Sequence, residues 1–225
     1  MIRSGLGTRR LFHAPEARRR RYERICQLVG LQPHHSVLDV GCGNGDSFET
    51  FNRENEIVGL DLQAQPTIQQ PNFRYVQGDA RDMHCFADGQ FDVAVAVGLL
   101  EHIPPEDLQT VANEIRRVAR RYALVIPHIW TLIEPHYRLP CWQFYPHAVK
   151  SFLVSHFSIG PYPKSPSGEY RYLNYFTPGR WRALFPGSST AVHNHLSWLV
   201  RDLIIYGGSA ASPAADAASS TITAV

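Results

Sequence analysis

Apolar positions in the first half of the chain follow two alternating periods. Tyr22, Ile25, Cys26 and Val29 recur at i, i+3, i+4 and i+7, which predicts a helix over residues 15 to 29 with one buried stripe. Pro15 suits its first turn and Gly30 its C-terminal stop. Short apolar runs of strand length follow at Ser36 to Val40, Glu56 to Leu60, Phe73 to Val76 and Phe91 to Val97, with a short helical stretch, Asp46 to Asn52, after the first. Pro104 to Arg120 carries the strongest helical pattern, with Leu108, Val111, Ile115 and Val118 on one face and charges opposite. Tyr122 to Ile126 then reads as a fifth strand stopped by Pro127. Strands alternating with helical patterns predict a doubly wound, mostly parallel α/β sheet. Right-handed crossovers place the C-terminal ends of its strands on one edge, where ligands bind near the point of strand-order reversal.

The alternation stops after residue 126. Residues 127 to 176 hold 12 of the 25 aromatic residues and many prolines. A stretch that long is no plain loop, and it reads as an aromatic-rich cap inserted after strand five. Thr177-Pro178 then starts a helix through Leu184, by the cap-residue and first-turn-proline rule. Two apolar runs, Thr190 to Leu196 and Leu199 to Tyr206, suit an antiparallel pair closing the sheet. The expected organisation is a basic helical segment at 1–34, an α/β core at 35–126, the cap at 127–176, a helix and sheet-closing strands at 177–206, and a disordered Ala/Ser/Gly-rich tail at 207–225.

Charge and cysteine usage bear on partners and compartment. The net charge of +2 conceals a head, residues 1 to 24, with eight Arg against Glu16 and Glu23. The remaining 201 residues are net acidic. Such a head reads first as a solvated helix face, and second as a peripheral contact for anionic lipid or nucleic acid. The acidic body disfavours nucleic acid. No apolar run approaches the roughly 20 residues of a membrane span. Cys26, Cys42, Cys85 and Cys141 lack C-x-x-C spacing and read as reduced thiols of a cytoplasmic protein.

The chemistry gathers at the strand ends. Val-Leu-Asp-Val-Gly-Cys-Gly-Asn-Gly at 37 to 45 is a strand with an acid, Asp39, followed by glycines at 41, 43 and 45. Glycine tolerates φ > 0 and close approach of a ligand. The spacing G-x-G-x-G differs from the dinucleotide fingerprint G-x-G-x-x-G and points to a nucleoside ligand without phosphates. Strand two ends at Asp61, twenty residues beyond Gly41, where a carboxylate suits ribose hydroxyls. Strand three ends at Gly78-Asp79-Ala80, where an acid suits an exocyclic amine, and strand four ends at Gly98.

These motifs, with Val-Gly-Leu-Asp at 58 to 61, Gln-Gly-Asp-Ala at 77 to 80, Phe-Asp-Val at 91 to 93, Leu-Glu-His-Ile-Pro at 100 to 104 and Glu-Ile-Arg-Arg-Val at 114 to 118, resemble the class I S-adenosylmethionine-dependent methyltransferases in order and spacing. The resemblance covers about residues 35 to 126 and implies a Rossmann-like sheet of seven strands with the last pair antiparallel. It implies S-adenosyl-L-methionine as cofactor. Gly41, Cys42 and Gly43 would line its methionine and ribose, and Asp39 would steady the turn or reach the amino group. Asp61 and Leu62 would meet the ribose side, Asp79 and Ala80 the adenine, and Gly98 would flank the sulfonium. The chain departs from the family pattern in a reduced helix after strand two and in Arg120-Arg121, where a Lys-Pro-Gly-Gly turn is frequent.

Methyl transfer is an in-line displacement that needs alignment above all, and a hydroxyl acceptor also gains from a base. His102, His128, Glu134 and His136 are the candidates for that role. Glu-Pro-His-Tyr-Arg-Leu-Pro at 134 to 140 resembles a segment of bacterial methyltransferases associated with surface glycans or lipids, so a small-molecule, glycan or lipid-type acceptor and O-methylation are expected. His193-x-His195 shares a strand face but lacks further ligands at metal spacing, so no metal is read from it. Cys42 reads as packing rather than nucleophile. The competing readings are a non-catalytic cofactor-binding scaffold, a nucleic-acid methyltransferase and a nicotinamide oxidoreductase, the last disfavoured by the early third glycine.

Overall fold

A computed structural model of the chain describes residues 15–45, 51, 54–63, 71–194 and 199–208. The expected helix over 46 to 52 (residue 51 apart), His195 and Leu196, the head before Pro15 and the tail beyond Gly208 lie outside those residues. The apolar runs form β1 (Ser36–Val40), β2 (Glu56–Asp61), β3 (Phe73–Gln77), β4 (Phe91–Val97) and β5 (Ala119–Pro127). After them come β6 (Ser189–Asn194) and β7 (Arg201–Gly208). They make one seven-stranded sheet of order β3-β2-β1-β4-β5-β7-β6. Strands β1 to β5 pair in parallel, while β7 runs antiparallel to both β5 and β6. Strand order reverses between β1 and β4, so the crevice outside their C-terminal ends is the topological switch point.

Alternate residues of each strand point to opposite faces, and the sheet has a core on each. On one face Leu38, Leu60, Ala94 and Leu124 meet α2 (Leu108–Val118) and α4 (Pro178–Leu184). Leu108, Val111, Ala112, Ile115 and Val118 of α2 are all buried, and each large one contributes about 1.5–3 kcal/mol. On the other face Val37, Ile57, Val93, Val95 and Val125 meet Tyr22, Ile25 and Val29 of α1 (Pro15–Val29). Thr177 caps α4 by accepting the Arg180 N–H.

The arginine run of α1 is spent largely on internal pairing. Arg19 pairs with Glu16 and Glu23, Arg20 with Glu16, and Arg21 reaches Asp202 of β7 at 3.3 Å.

Several boundaries differ from the sequence pattern. The helix expected from Pro104 begins at Leu108, because Pro104 to Asp107 is a turn in which the Asp107 N–H donates to the Pro104 carbonyl. It ends at Val118 because Ala119 is already extended. Arg120 and Arg121 thus belong to β5, where Arg121 donates to the Val29 and Gly30 carbonyls and closes the end of α1. Strand β7 continues through Gly207 and Gly208, which composition assigned to the tail, since these pair with Tyr122 and Arg121. A Cβ at Gly208 would stand 2.1 Å from the Arg120 carbonyl oxygen, so this strand end admits only glycine.

The segment after β5 contains α3 (His147–His156), a helix no sequence pattern announced, and its own apolar cluster of Tyr137, Trp142, Val154, Ile159 and Leu173. Trp142 stacks on Tyr137 with ring centroids 4.1 Å apart. Asn174 fastens this segment to the end of β4. Its backbone N–H donates to the Glu101 carbonyl and its side-chain amide to those of Leu100 and Ile103.

Candidate active site

The turn after β1 is held by backbone. The N–H groups of Gly41 and Cys42 both donate to the Leu60 carbonyl of β2, and that of Gly45 to the Cys42 carbonyl. Gly41, Gly43 and Gly45 all lie at positive φ, 74°, 54° and 75°. A Cβ at Gly41 would approach Leu99 Cδ1 to 2.9 Å, so the glycine lets the chain after β4 lie against the turn. The Asp61 carboxylate faces the same turn, with Oδ2 accepting the Gly43 N–H at 2.8 Å and Oδ1 the Gln63 N–H at 3.0 Å. Leu62 is exposed beside it and Asp39 is buried behind it.

Burial, helped by the charges of Asp39 and Asp61, pushes the Cys42 thiol up to about 12, so it is neutral and packs. Asp79 is engaged by Arg81, which bonds it through the guanidinium at 2.6 and 2.9 Å and through its backbone N–H at 2.8 Å, and which also reaches Asp107. That pairing, opposed in part by desolvation, holds the Asp79 carboxyl below its usual range. Ala80 is buried in the core behind it, and Gly98, at φ 72°, ends β4 with its N–H on the Val125 carbonyl.

A second group of side chains stands just beyond β4. Leu100 to His102 form a single 3-10 turn that carries Glu101 inward, only 2% exposed. Segment 133 to 141 brings Glu134 and His136 to the same place. Glu134 is fully buried, and its Oε1 pairs with His136 Nδ1 at 2.7 Å while Oε2 accepts the Tyr137 N–H at 2.6 Å. His136 Nε2 stands 3.9 Å from Glu101 Oε1, and its ring packs edge-on against His102 with centroids 5.0 Å apart.

The electrostatics of this group are strongly perturbed. Desolvation, set against the charge of His136, pushes Glu101 up to about 7. Burial first, and then the charges of His136 and Arg171, lower His102 to about 4. Burial also opposes the charged form of His136, yet the hydrogen bond and charge of Glu134, with Glu101 behind it, raise its pKa. Glu101 Oε2 and His102 Nδ1 are among the buried atoms here that have no hydrogen-bond partner.

Of the four residues expected to serve the acceptor, the fold gathers His102, Glu134 and His136. His128 is employed elsewhere. Its ring Nδ1 accepts the Trp130 N–H and its backbone N–H donates to the Arg201 carbonyl, so it shapes the turn out of β5. Sequence reasoning passed over Glu101 and Asn174. The one signal for Glu101 was its place in the Leu-Glu-His-Ile-Pro stretch just past strand four.

Comparison with known proteins agrees with this fold. Residues 37–121 match the family model described as a methyltransferase domain. The chain is 27% identical over 120 residues to a cyclopropane-fatty-acyl-phospholipid synthase of Escherichia coli K12, covering 50% of this chain and 30% of the relative. It is 29% identical over 126 residues to a ubiquinone biosynthesis O-methyltransferase of Albidiferax ferrireducens, covering 52% and 45%. These matches thus span less than half of either relative's length. In three dimensions it resembles the 1,6-didemethyltoxoflavin-N1-methyltransferase of Burkholderia thailandensis, a structure with bound S-adenosylhomocysteine. That likeness has a TM-score of 0.58 at 16% identity and covers 90% of this chain and 82% of the other. Motifs, strand order and family match coincide on residues 37–121, and this part of the chain is a methyltransferase domain of the class I, S-adenosylmethionine-dependent type.

Proposed function

We propose that the chain transfers a methyl group from S-adenosylmethionine to a hydroxyl of a small-molecule, glycan or lipid-type acceptor. The observation that supports this most is the Glu134–His136 pair beside Glu101 and His102, one short turn away from the glycine turn at the switch point. In this reading Gly41, Cys42 and Gly43 receive the methionine and ribose portions, with Asp39 behind them. Asp61 accepts the ribose hydroxyls, with Leu62 beside it. A carboxylate has about four lone-pair sites, so Asp79 keeps capacity for the adenine amine beside its bonds to Arg81, with Ala80 against the ring. Gly98 flanks the sulfonium.

In the reaction the methyl carbon leaves sulfur with the bonding pair remaining on sulfur, and the acceptor oxygen forms the new bond. The hydroxyl proton is released at the cluster. Alignment supplies most of the acceleration, and disposal of the proton adds to it. The segment 127–176 closes over the acceptor, fastened by Asn174. O-methylation is favoured over N-methylation because the cluster is suited to taking a proton from a neutral hydroxyl.

The internal pairing of Arg19, Arg20 and Arg21 supports a structural role for the basic helix over a nucleic-acid surface. All four cysteines are free, as suits a cytoplasmic setting. No helix among the described residues is long and apolar enough to cross a membrane.

The test is turnover. Labelled S-adenosylmethionine incubated with the chain and a cell extract yields a labelled product that resists acid but loses its label under conditions that cleave methyl ethers. Label that stays on nitrogen or carbon overturns the O-methyl reading, and no transfer to any acceptor supports a scaffold instead.

A further inference from the structure

Glu101 joins two of the acid–base candidates, His102 and His136, in a grouping with a different chemical meaning. Each offers a ligand atom, and these atoms lie within 4.8 Å of one another. Two imidazoles and one carboxylate are the donor set of three-ligand zinc sites and of facial-triad sites, in which further positions stay open. Linear spacing hides the set here, because His136 enters from beyond β5.

Two features point to a ligand at this place, and a third holds the set in position. First, Glu101 Oε2 and His102 Nδ1 are buried and unpartnered, and a buried polar atom left so costs about 1–3 kcal/mol unless something meets it. Second, Glu134 holds His136 through Nδ1, which turns Nε2 toward Glu101 at 3.9 Å. A carboxylate on the far nitrogen is the support that metal-bound histidines carry. Glu134 is itself fixed by the Tyr137 N–H. Third, the set is anchored from both sides, Glu101 by the Asn174 N–H on its carbonyl and the 133–141 segment by the Cys141 N–H on the Leu132 carbonyl. Ligands at about 2.1 Å from a tetrahedral ion stand roughly 3.4 Å apart, so small side-chain rotations would bring the set to bonding distance.

We propose that Glu101, His102 and His136 bind a divalent first-row transition-metal ion, Zn²⁺ being the best match to the donor set, with an open position for an oxygen of the acceptor. The nitrogen donors disfavour Mg²⁺ and Ca²⁺. The role given to the acceptor oxygen rests on the methyl-transfer reading above, whereas binding of the ion does not. The substrate class narrows accordingly to acceptors with a hydroxyl able to approach a cation, an enol, a phenol or one of two vicinal hydroxyls.

The experiment strips the full chain with a chelator and titrates it with Co²⁺, reading visible d–d absorption and bound metal by mass spectrometry. The expected result is one equivalent per chain, displaced by Zn²⁺. Glu101→Gln and His136→Gln should each weaken Co²⁺ binding at least about tenfold, and Glu134→Gln about 10- to 100-fold. His84→Gln, at an exposed histidine paired with Asp82, should leave it unchanged. No stoichiometric uptake by the wild-type chain overturns the proposal whatever the fold of the variants, and so does equal uptake by wild type, Glu101→Gln and His136→Gln. Calorimetry with S-adenosylhomocysteine on the same samples separates the two readings. Loss of Co²⁺ binding with retained S-adenosylhomocysteine binding marks a variant of the metal site alone, as proposed. A wild type that takes up Co²⁺ but not S-adenosylhomocysteine overturns the methyl-transfer reading instead.

Discussion

The glycine turn and the cluster around His136 occupy the same edge of one sheet but are made of different material. The turn is chiefly backbone. Its amides bond to the Leu60 carbonyl and to Asp61, and its side chains are mostly hydrogen atoms. The cluster is all side chain, a buried acid and a histidine from the end of β4 and another such pair from beyond β5. The backbone site leans on the neighbouring strand β2, through the Leu60 carbonyl and Asp61, and so on the parallel sheet itself. A side-chain cluster needs two distant segments to dock, and its chemistry depends on how well water is kept out.

Two experiments set the two regions against each other, and a third probes an ion pair outside both. The largest effect is expected from Glu134→Gln. The amide cannot hold His136 as the carboxylate does, so kcat should fall about 100-fold or more, with S-adenosylmethionine affinity unchanged. Steady-state kinetics with binding measured separately checks this, and a parallel loss of both would show that the two regions are not independent.

Next is Asn174→Ala, which removes two side-chain hydrogen bonds to the Leu100 and Ile103 carbonyls. Urea unfolding should show a loss of about 2 kcal/mol, and turnover should drop further than cofactor binding. Unfolding unchanged within error would mean that the segment is held by its aromatic packing alone.

The smallest effect concerns acid. Glu114 accepts the Met83 N–H and bonds Arg117, which holds its carboxyl below the usual range against some desolvation. A carboxyl depressed in the folded state contributes stability above its unfolded pKa, about 4.3, and that contribution is lost as pH falls through the folded value. Stability should therefore decline below about pH 4.3, less steeply in Glu114→Gln. Denaturant midpoints across that window test it, and identical slopes in both proteins would remove Glu114 from the account.

The same contrast explains what was legible in the sequence. Helix α1 and strands β1 and β4 have the bounds their patterns predict, because buried stripes and apolar runs are local signals. The positions proposed to meet the cofactor stand out for the same reason, since Gly41, Asp61, Asp79 and Gly98 each fall at or just past the end of a recognisable strand. Arg120 misled, because a charged residue after an amphipathic helix reads as part of its last turn, and Arg121 read as the turn before strand five although both lie in β5. Their actual use, Arg121 closing α1 and Arg120 reaching Asp92, depends on elements distant in the chain. His128 and His136 looked equivalent by residue type, and only the docking of the 133–141 segment separates them. Glu101 was hidden because its burial comes from tertiary structure, with Asn174 and His136 lying against the turn that carries it.

The most direct measurement is calorimetric titration of S-adenosylhomocysteine into the wild-type chain, Asp61→Ala and Glu134→Gln. The wild type and Glu134→Gln should bind with the same micromolar affinity, while Asp61→Ala should bind roughly 10- to 100-fold more weakly, having lost charge-assisted hydrogen bonds to the ribose and the bond to the Gly43 N–H. No binding to the wild type, or equal binding to wild type and Asp61→Ala, would contradict the placement of the methyl donor at the glycine turn.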